Sequence, residues 1–270
     1  DPQTPSITTM LRGMQAAEFT VIGPNKDLHS GMYGGPAMNP IRVISNLIAS
    51  MHDENGRVQI PAFYEGVEPV PNAVKAGWDG LPFDGAAFLG EVGLSEPAGE
   101  KGYTVLEQIW TRPTAEVNGV WGGYTGAGTK TVLPAKASAK VTFRLVGKQD
   151  PEAIAKNFQA FLSEQLPPDY ELEFDAGHGA QATVMPTDRA EYAAARAALG
   201  KEWENDAVFI GGGGSIPIVG HFRDILGVDS ILIGYGLEDD NIHSPNEKYN
   251  LTSFHRGIRS WVRVLDALNS

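Results

Sequence analysis

Between residues 135 and 146 the chain alternates with a period of two. Ala137, Ala139, Val141 and Phe143 share one face, and Lys136, Ser138, Lys140, Thr142 and Arg144 share the other. That period is the mark of a strand buried on one side. A strand of this kind needs other strands beside it and a helical layer over its apolar face. The flanking sequence offers both. Residues 17–22 alternate and stop at Gly23-Pro24. Asn39 and Pro40 open a helix, as cap and first-turn residue, with Ile41, Ile44, Leu47, Ile48 and Met51 at three- and four-residue spacing. Residues 114–121 form another strand before the glycine-rich turn 122–128. Asp150-Pro151 opens a second helix that carries Ile154, Phe158 and Phe161 on one side, and 170–174 alternates again. From 17 to 175 the order is strand, helix, strand, strand, helix, strand. This is the split βαβ pattern of the ferredoxin-like class, an antiparallel sheet of four strands with two helices on one face.

The pattern is interrupted over 57–112, where prolines stand at 61, 69, 71, 82 and 97 and short helical patches lie near 83–90 and 103–110. A connection of this length marks an irregular insertion with a lid or contact role. Beyond 177–180 the composition shifts. An alanine-rich helix runs from 187 to about 203, a short strand covers 207–210, and Gly211-Gly-Gly-Gly-Ser-Ile-Pro217 leads into a helix ending at Leu226. A strand at 230–235, a polar turn and a helix over 252–268 complete the chain. Alternating α and β elements predict parallel strands under helical cover. The fold class expected is therefore α/β with a ferredoxin-like α+β lid, divided as 1–16, 17–178 and 181–270. The last segment holds too few strands for a complete sheet, and the expected remainder lies before Asp1. The amino end has no starting Met and no signal-peptide pattern, so the chain reads as beginning in the middle of something.

A net charge of −12 excludes nucleic acid and anionic membrane surfaces as expected partners. No apolar run is long enough to predict a membrane span, and a cytoplasmic location is expected. The chain has no cysteine, so any metal would be held by His, Asp or Glu, a donor set that suits zinc, manganese or cobalt.

Several residues could carry chemistry. His243 lies in Asn241-Ile-His-Ser-Pro-Asn-Glu247, just past an apolar run and beside Asp239 and Asp240. The carboxyl ends of strands are where open α/β sheets bind ligands, although a loop histidine can also be simply solvated. Gly214 and Ser215 belong either to a bare turn or to a loop whose amides approach an anion. No Lys follows the glycines, so it is no phosphate loop, and Ser215 lacks the following glycine of a nucleophile elbow. His29 sits on a polar, glycine-rich loop near Asp27. Arg144 is either a solvated strand residue or a bidentate clamp for a carboxylate.

Taken together, Asp27-Leu-His-Ser-Gly31, Thr131-Val-Leu-Pro134, Phe143-Arg-Leu-Val146, Gly213-Gly-Ser-Ile-Pro217 and His243-Ser-Pro-Asn-Glu247 resemble, in order, the motifs of co-catalytic zinc hydrolases. These include carnosinase-type dipeptidases, aminoacylase, acetylornithine deacetylase and succinyl-diaminopimelate desuccinylase, and the chain is most similar to the carnosinase-like dipeptidases. The resemblance implies a lid that also dimerises, followed by the C-terminal part of a catalytic domain. It implies that His243 is a zinc ligand and that His29 stabilises the oxyanion in the partner subunit's site, with Thr131 reaching there too. It implies that Arg144, Gly214 and Ser215 hold the substrate carboxylate. The full-length enzyme would use two zinc ions, or manganese or cobalt, to cleave an amide bond near a free carboxylate. The family's His-x-Asp pair, Glu-Glu pair and later Asp have no counterpart here, so the chain is expected to be an inactive fragment that binds no metal stably. Gly211-Gly212 stand where carnosinase-type relatives carry Arg-Glu, whose Glu receives a free amino group. Acylated amino acids therefore stand beside small peptides as expected substrates. The alternative reading is a non-catalytic dimerisation or peptide-binding module.

Overall fold

β1 (Ser6–Leu11) and β2 (Gly13–Ile22) are separated by one residue, Arg12, yet they enter different sheets. That single-residue step makes the chain two-lobed. A computed structural model describes residues 2–269. The position of Asp1 relative to the rest lies outside the described residues.

After β2 come β3 (Leu28–His29), α1 (Ser30–Tyr33) and α2 (Pro40–Ala49). The insertion then carries α3 (Asn72–Asp79), α4 (Gly85–Gly90) and α5 (Val105–Trp110). β4 (Thr114–Gly122), β5 (Val132–Leu133), β6 (Lys136–Leu145), α6 (Pro151–Glu164), β7 (Glu171–Asp175) and β8 (Gly179–Ala180) follow. The sheet order is β4-β6-β2-β7, every pair antiparallel, as the ferredoxin-like pattern requires. β2 and β6 pair along their whole length, from Gly13↔Leu145 to Ile22↔Lys136. Phe19, Val141 and Phe143 point to one face and meet Ile44 and Leu47 of α2 and Phe158 and Leu162 of α6, all buried. Phe158 is the centre of this core, edge-on to Phe143 at 5.0 Å and to Phe19 at 5.7 Å.

The second lobe comprises β9 (Thr183–Val184), α7 (Ala190–Gly200), β10 (Val208–Gly212), α8 (Pro217–Leu226), β11 (Leu232–Gly234) and α9 (Leu251–Leu268). Its sheet runs β10-β1-β11, so β1 lies at the centre. β10 is parallel to β1 but β11 is antiparallel, which corrects the expectation of parallel strands. Alternating α and β elements impose parallel pairing only where each helix crosses over the sheet. Here β1 comes from the far end of the sequence, and no crossover links it directly to β11. α9 packs on α7 and buries Ser253, Gly257, Ser260 and Val264. A Cβ on Gly257 would stand 2.7 Å from the Tyr235 ring, so the close approach needs glycine. The neighbouring stripe of α9, with Phe254, Ile258, Trp261 and Leu265, is exposed, as are Ile218, Phe222 and Ile225 of α8.

The insertion joins the lobes. The Trp78 indole N–H donates to the Phe209 carbonyl of β10 at 2.7 Å, and Trp78 packs edge-on against Trp110 at 5.1 Å. Buried Glu100 receives Arg57 at 2.8 Å and Arg112 at 2.7 Å, which ties the two ends of the insertion together. The expected helical patches correspond to α4 and α5; α3 is additional, because its short apolar face points at the other lobe and is poorly marked in sequence. The first lid strand starts at Gly13 rather than 17, because Gly13, Met14, Gln15 and Ala16 continue the ladder opposite 142–145.

Candidate functional site

Arg144 sits near the hinge end of β6, opposite Met14 on one side and Thr114 on the other. Its Nη1 donates to the Ser215 hydroxyl at 3.3 Å. Ser215 in turn donates to the Arg12 carbonyl, and the Arg12 N–H donates to the Gly214 carbonyl at 3.1 Å. The loop leaving β10 is thus clipped to the one-residue step between the lobes, and Arg144, Gly214 and Ser215 are brought together there. The Ser215 hydroxyl is engaged on both sides, accepting from Arg144 and donating to the Arg12 carbonyl.

Arg12 was not singled out by its sequence. The one signal available is a lone charge between two apolar runs, Met10-Leu-Arg-Gly-Met14. Its guanidinium is buried; Nη2 donates to the Arg112 carbonyl at 2.8 Å and meets Thr114 Oγ1 at 3.4 Å, while Nε is buried without a partner. Its pKa is pushed down to about 10, first by burial and then by the like charge of Arg144, against a weaker pull from Glu116. It stays protonated at neutral pH. Among the described residues, no carboxylate lies within ion-pair distance of Arg12 or Arg144.

His29 and Thr131 form a second group. β3 pairs with β5, placing His29 opposite Val132, and the Ser30 N–H donates to the Thr131 carbonyl at 3.0 Å. Asp27 anchors this ribbon by accepting the Ala135 N–H at 2.9 Å. The Gly31 N–H donates to His29 Nδ1 at 3.0 Å. In the neutral ring the proton must then sit on Nε2, which is left to donate outward. Both residues are exposed. They lie beyond the end of β2 remote from Arg144. The eight steps from Met14 to Ile22 span roughly 25 Å at the usual rise per strand residue, so within one chain the two groups are far apart.

His243 stands by itself. Its turn is tightly wound, with Asn241, His243 and Asn246 all in the left-handed region at φ of 53°, 63° and 62°. Asn accepts that conformation readily and His less so. The turn is closed by Asp240, which is 1% exposed and accepts from the Leu237 N–H at 2.7 Å and from Lys248 Nζ at 2.9 Å. The aspartate is thereby held below the usual carboxylate range, chiefly by the Leu237 N–H and then by Lys248. The imidazole itself is exposed and makes no hydrogen bond among the described residues. Among those residues no three of His, Asp and Glu gather as metal ligands. One imidazole does not hold an ion, so the donor set present here does not fit a dinuclear centre without ligands from elsewhere.

Gly211, expected in a loop, ends within β10. A Cβ there would lie 2.4 Å from Cβ of Trp110. The indole occupies the space in which a larger side chain would stand.

Comparison with known proteins adds to this geometry. The sequence profile of the peptidase dimerisation domain matches residues 9–169. The Cys-Gly metallodipeptidase of Saccharomyces cerevisiae is 29% identical over 264 residues, 97% of this chain and 55% of that protein. The human Beta-Ala-His dipeptidase is 25% identical over 258 residues, 94% of this chain and 51% of that protein. The crystal structure of a metallo-carboxypeptidase from Sulfolobus solfataricus superposes with a TM-score of 0.82 at 26% identity, covering 98% of this chain and 60% of that one. The chain spans about half the length of the curated relatives it matches.

Proposed function

The chain belongs to the peptidase dimerisation domain family, and from that premise we propose that it is the lid and part of the catalytic domain of a metal-dependent hydrolase. Its substrate is a small peptide or acylated amino acid with a free carboxylate, cleaved at the amide bond near that carboxylate. The observation that carries this reading is the Arg144–Ser215 pair at the lobe junction. A guanidinium without a carboxylate partner, beside a hydroxyl and a glycine-rich loop, suits a planar anion held by two donors.

Each of the other groups has a place in the same reading. With Nδ1 occupied by Gly31, His29 presents Nε2–H, the tautomer that stabilises a developing oxyanion. The length of β2 favours its acting in the site of a partner subunit, with Thr131 beside it, in a homodimer formed through the lid. The left-handed backbone of His243, held by the Asp240–Lys248 clasp, presents the imidazole outward as one ligand of a metal site. That site, for zinc or for manganese or cobalt, takes its other ligands from residues this chain does not carry, and the chain alone is inactive. Half-length coverage of the relatives and the uncovered apolar faces of α8 and α9 support that part of the reading. Gly212 stands where the resemblance places the acidic group that receives a free amino terminus, and its absence there suits an acylated one.

The test uses the longer polypeptide that contains this chain, loaded with zinc. Dipeptides, N-acylated amino acids and their carboxyl-amidated counterparts are assayed in parallel. Free-carboxylate substrates are expected to turn over, and Arg144→Met is expected to raise their KM at least tenfold. Equal hydrolysis of amidated and free forms, or an unchanged KM in Arg144→Met, would overturn the assignment. The 270-residue chain, assayed with added zinc, is expected to show no turnover above background.

A further inference from the structure

Arg12 is the least expected charge in the molecule. It is 8% exposed, and its Nε has no hydrogen-bond partner. Burying a cation is costly unless it is paired, and this chain has acidic side chains to spare, 33 against 21 basic ones. Glu100, Glu107 and Glu202 all pair with Lys or Arg. Among the described residues no such partner reaches Arg12; its Nη2 bonds are to a carbonyl and a hydroxyl. Nor is it placed there by a need for shape alone. Its backbone already clips the Gly214–Ser215 loop, through the Gly214 carbonyl and the Ser215 hydroxyl, and any residue could do that. The side chain does something further: it passes to Thr114, the cross-strand neighbour of Arg144. Two guanidinium groups are therefore assembled at one junction, and among the described residues neither has a carboxylate within ion-pair distance, Glu116 acting on Arg12 only from farther off.

We propose that Arg12 is the buried second cation of the carboxylate site, a positioning residue that acts through its charge on an anion held by Arg144 and Ser215. This deepens the carboxylate reading given above and rests on it. The two like charges repel while the site is empty, and a bound carboxylate relieves that repulsion as well as forming its own hydrogen bonds. Affinity for a carboxylate is then greater than Arg144 alone would give, because the second charge acts across a poorly solvated interior. The ligand class is a small molecule with one free carboxylate, and the neutral amide of the same shape is rejected.

The experiment is an NMR titration of the intact 270-residue chain, following the Nε–Hε resonances of arginine. The probes are glycylglycine and glycylglycinamide. Glycylglycine is expected to shift the Arg144 resonance and glycylglycinamide to leave it in place. Arg12→Met is expected to weaken glycylglycine binding about tenfold, whereas Arg12→Lys, which keeps the charge but loses the fork, stays within about threefold of the unsubstituted chain. A structural role would predict the opposite: both variants lose stability and affinity together. Unchanged affinity in folded Arg12→Met, or equal losses in the two variants, would overturn the proposal while leaving the carboxylate site standing. If Arg12→Met does not fold, Arg12→Lys decides, since retained affinity supports the charge and lost affinity removes it. If glycylglycine does not bind the unsubstituted chain, or binds Arg144→Met equally well, the underlying carboxylate reading fails, and the proposal with it.

Discussion

At Gly211 a hydrogen is all that the packing admits. Trp110 Cβ would stand 2.4 Å from any Cβ there, and Trp110 is itself braced by Trp78. Gly211→Ala is expected to lower stability by about 1–3 kcal/mol through overpacking, seen as a fall in denaturation midpoint. His29 depends on a different kind of constraint. Gly31→Pro deletes the N–H that occupies Nδ1 and frees the tautomer. In the zinc-loaded enzyme proposed above it is expected to lower kcat with little change in KM. An unchanged kcat would remove the oxyanion role. At this scale the sequence marked His29, Thr131, Arg144, Ser215 and His243 through their motifs. It did not mark Arg12, because nothing in the local pattern distinguishes a buried guanidinium from a solvated one.

Elements stand or fall on fewer contacts. Phe158 of α6 touches both central strands of the lid, and Phe158→Ala is expected to cost about 3–5 kcal/mol, measured by denaturant unfolding. The turn that carries His243 is held electrostatically, so it should respond to acid. Asp240 has a lower pKa folded than unfolded. Between those values the unfolded chain binds the extra proton, so stability rises with pH across that window. The contribution of the clasp is complete above the ordinary aspartate value of 3.8 and is lost as pH falls through the depressed one. Hydrogen exchange at 237–248 should therefore accelerate below that value, and Asp240→Asn should remove the dependence. The periodic elements were legible because periodicity is local. The two-residue strands β3 and β5 were not, since neither has a period and each exists only because the other is there.

Across the whole molecule the insertion is the strut between the lobes. Trp78→Phe keeps the ring but deletes the bond to the Phe209 carbonyl, and it is expected to cost about 1–3 kcal/mol. It should also raise proteolysis within 72–110 before the lid core opens. The opposite edge of the lid, β4, exposes Val117, Val120 and Trp121. Val120→Lys with Trp121→Lys is expected to turn a sedimenting dimer into monomers. A dimer that persists would place the interface elsewhere.

The sequence by itself determined the lid, because each strand and helix there is specified by neighbours a few residues away and the parts can assemble in only one chirally and sterically favoured order. It also carried the candidate residues of the proposed site in short motifs. Tertiary structure alone decided which of those residues meet. Arg144 and Ser215, 71 positions apart, converge on Arg12 because a one-residue step sends β1 and β2 into different sheets. Where the chain turns is written locally, but what it turns toward depends on the packing of every element beyond it.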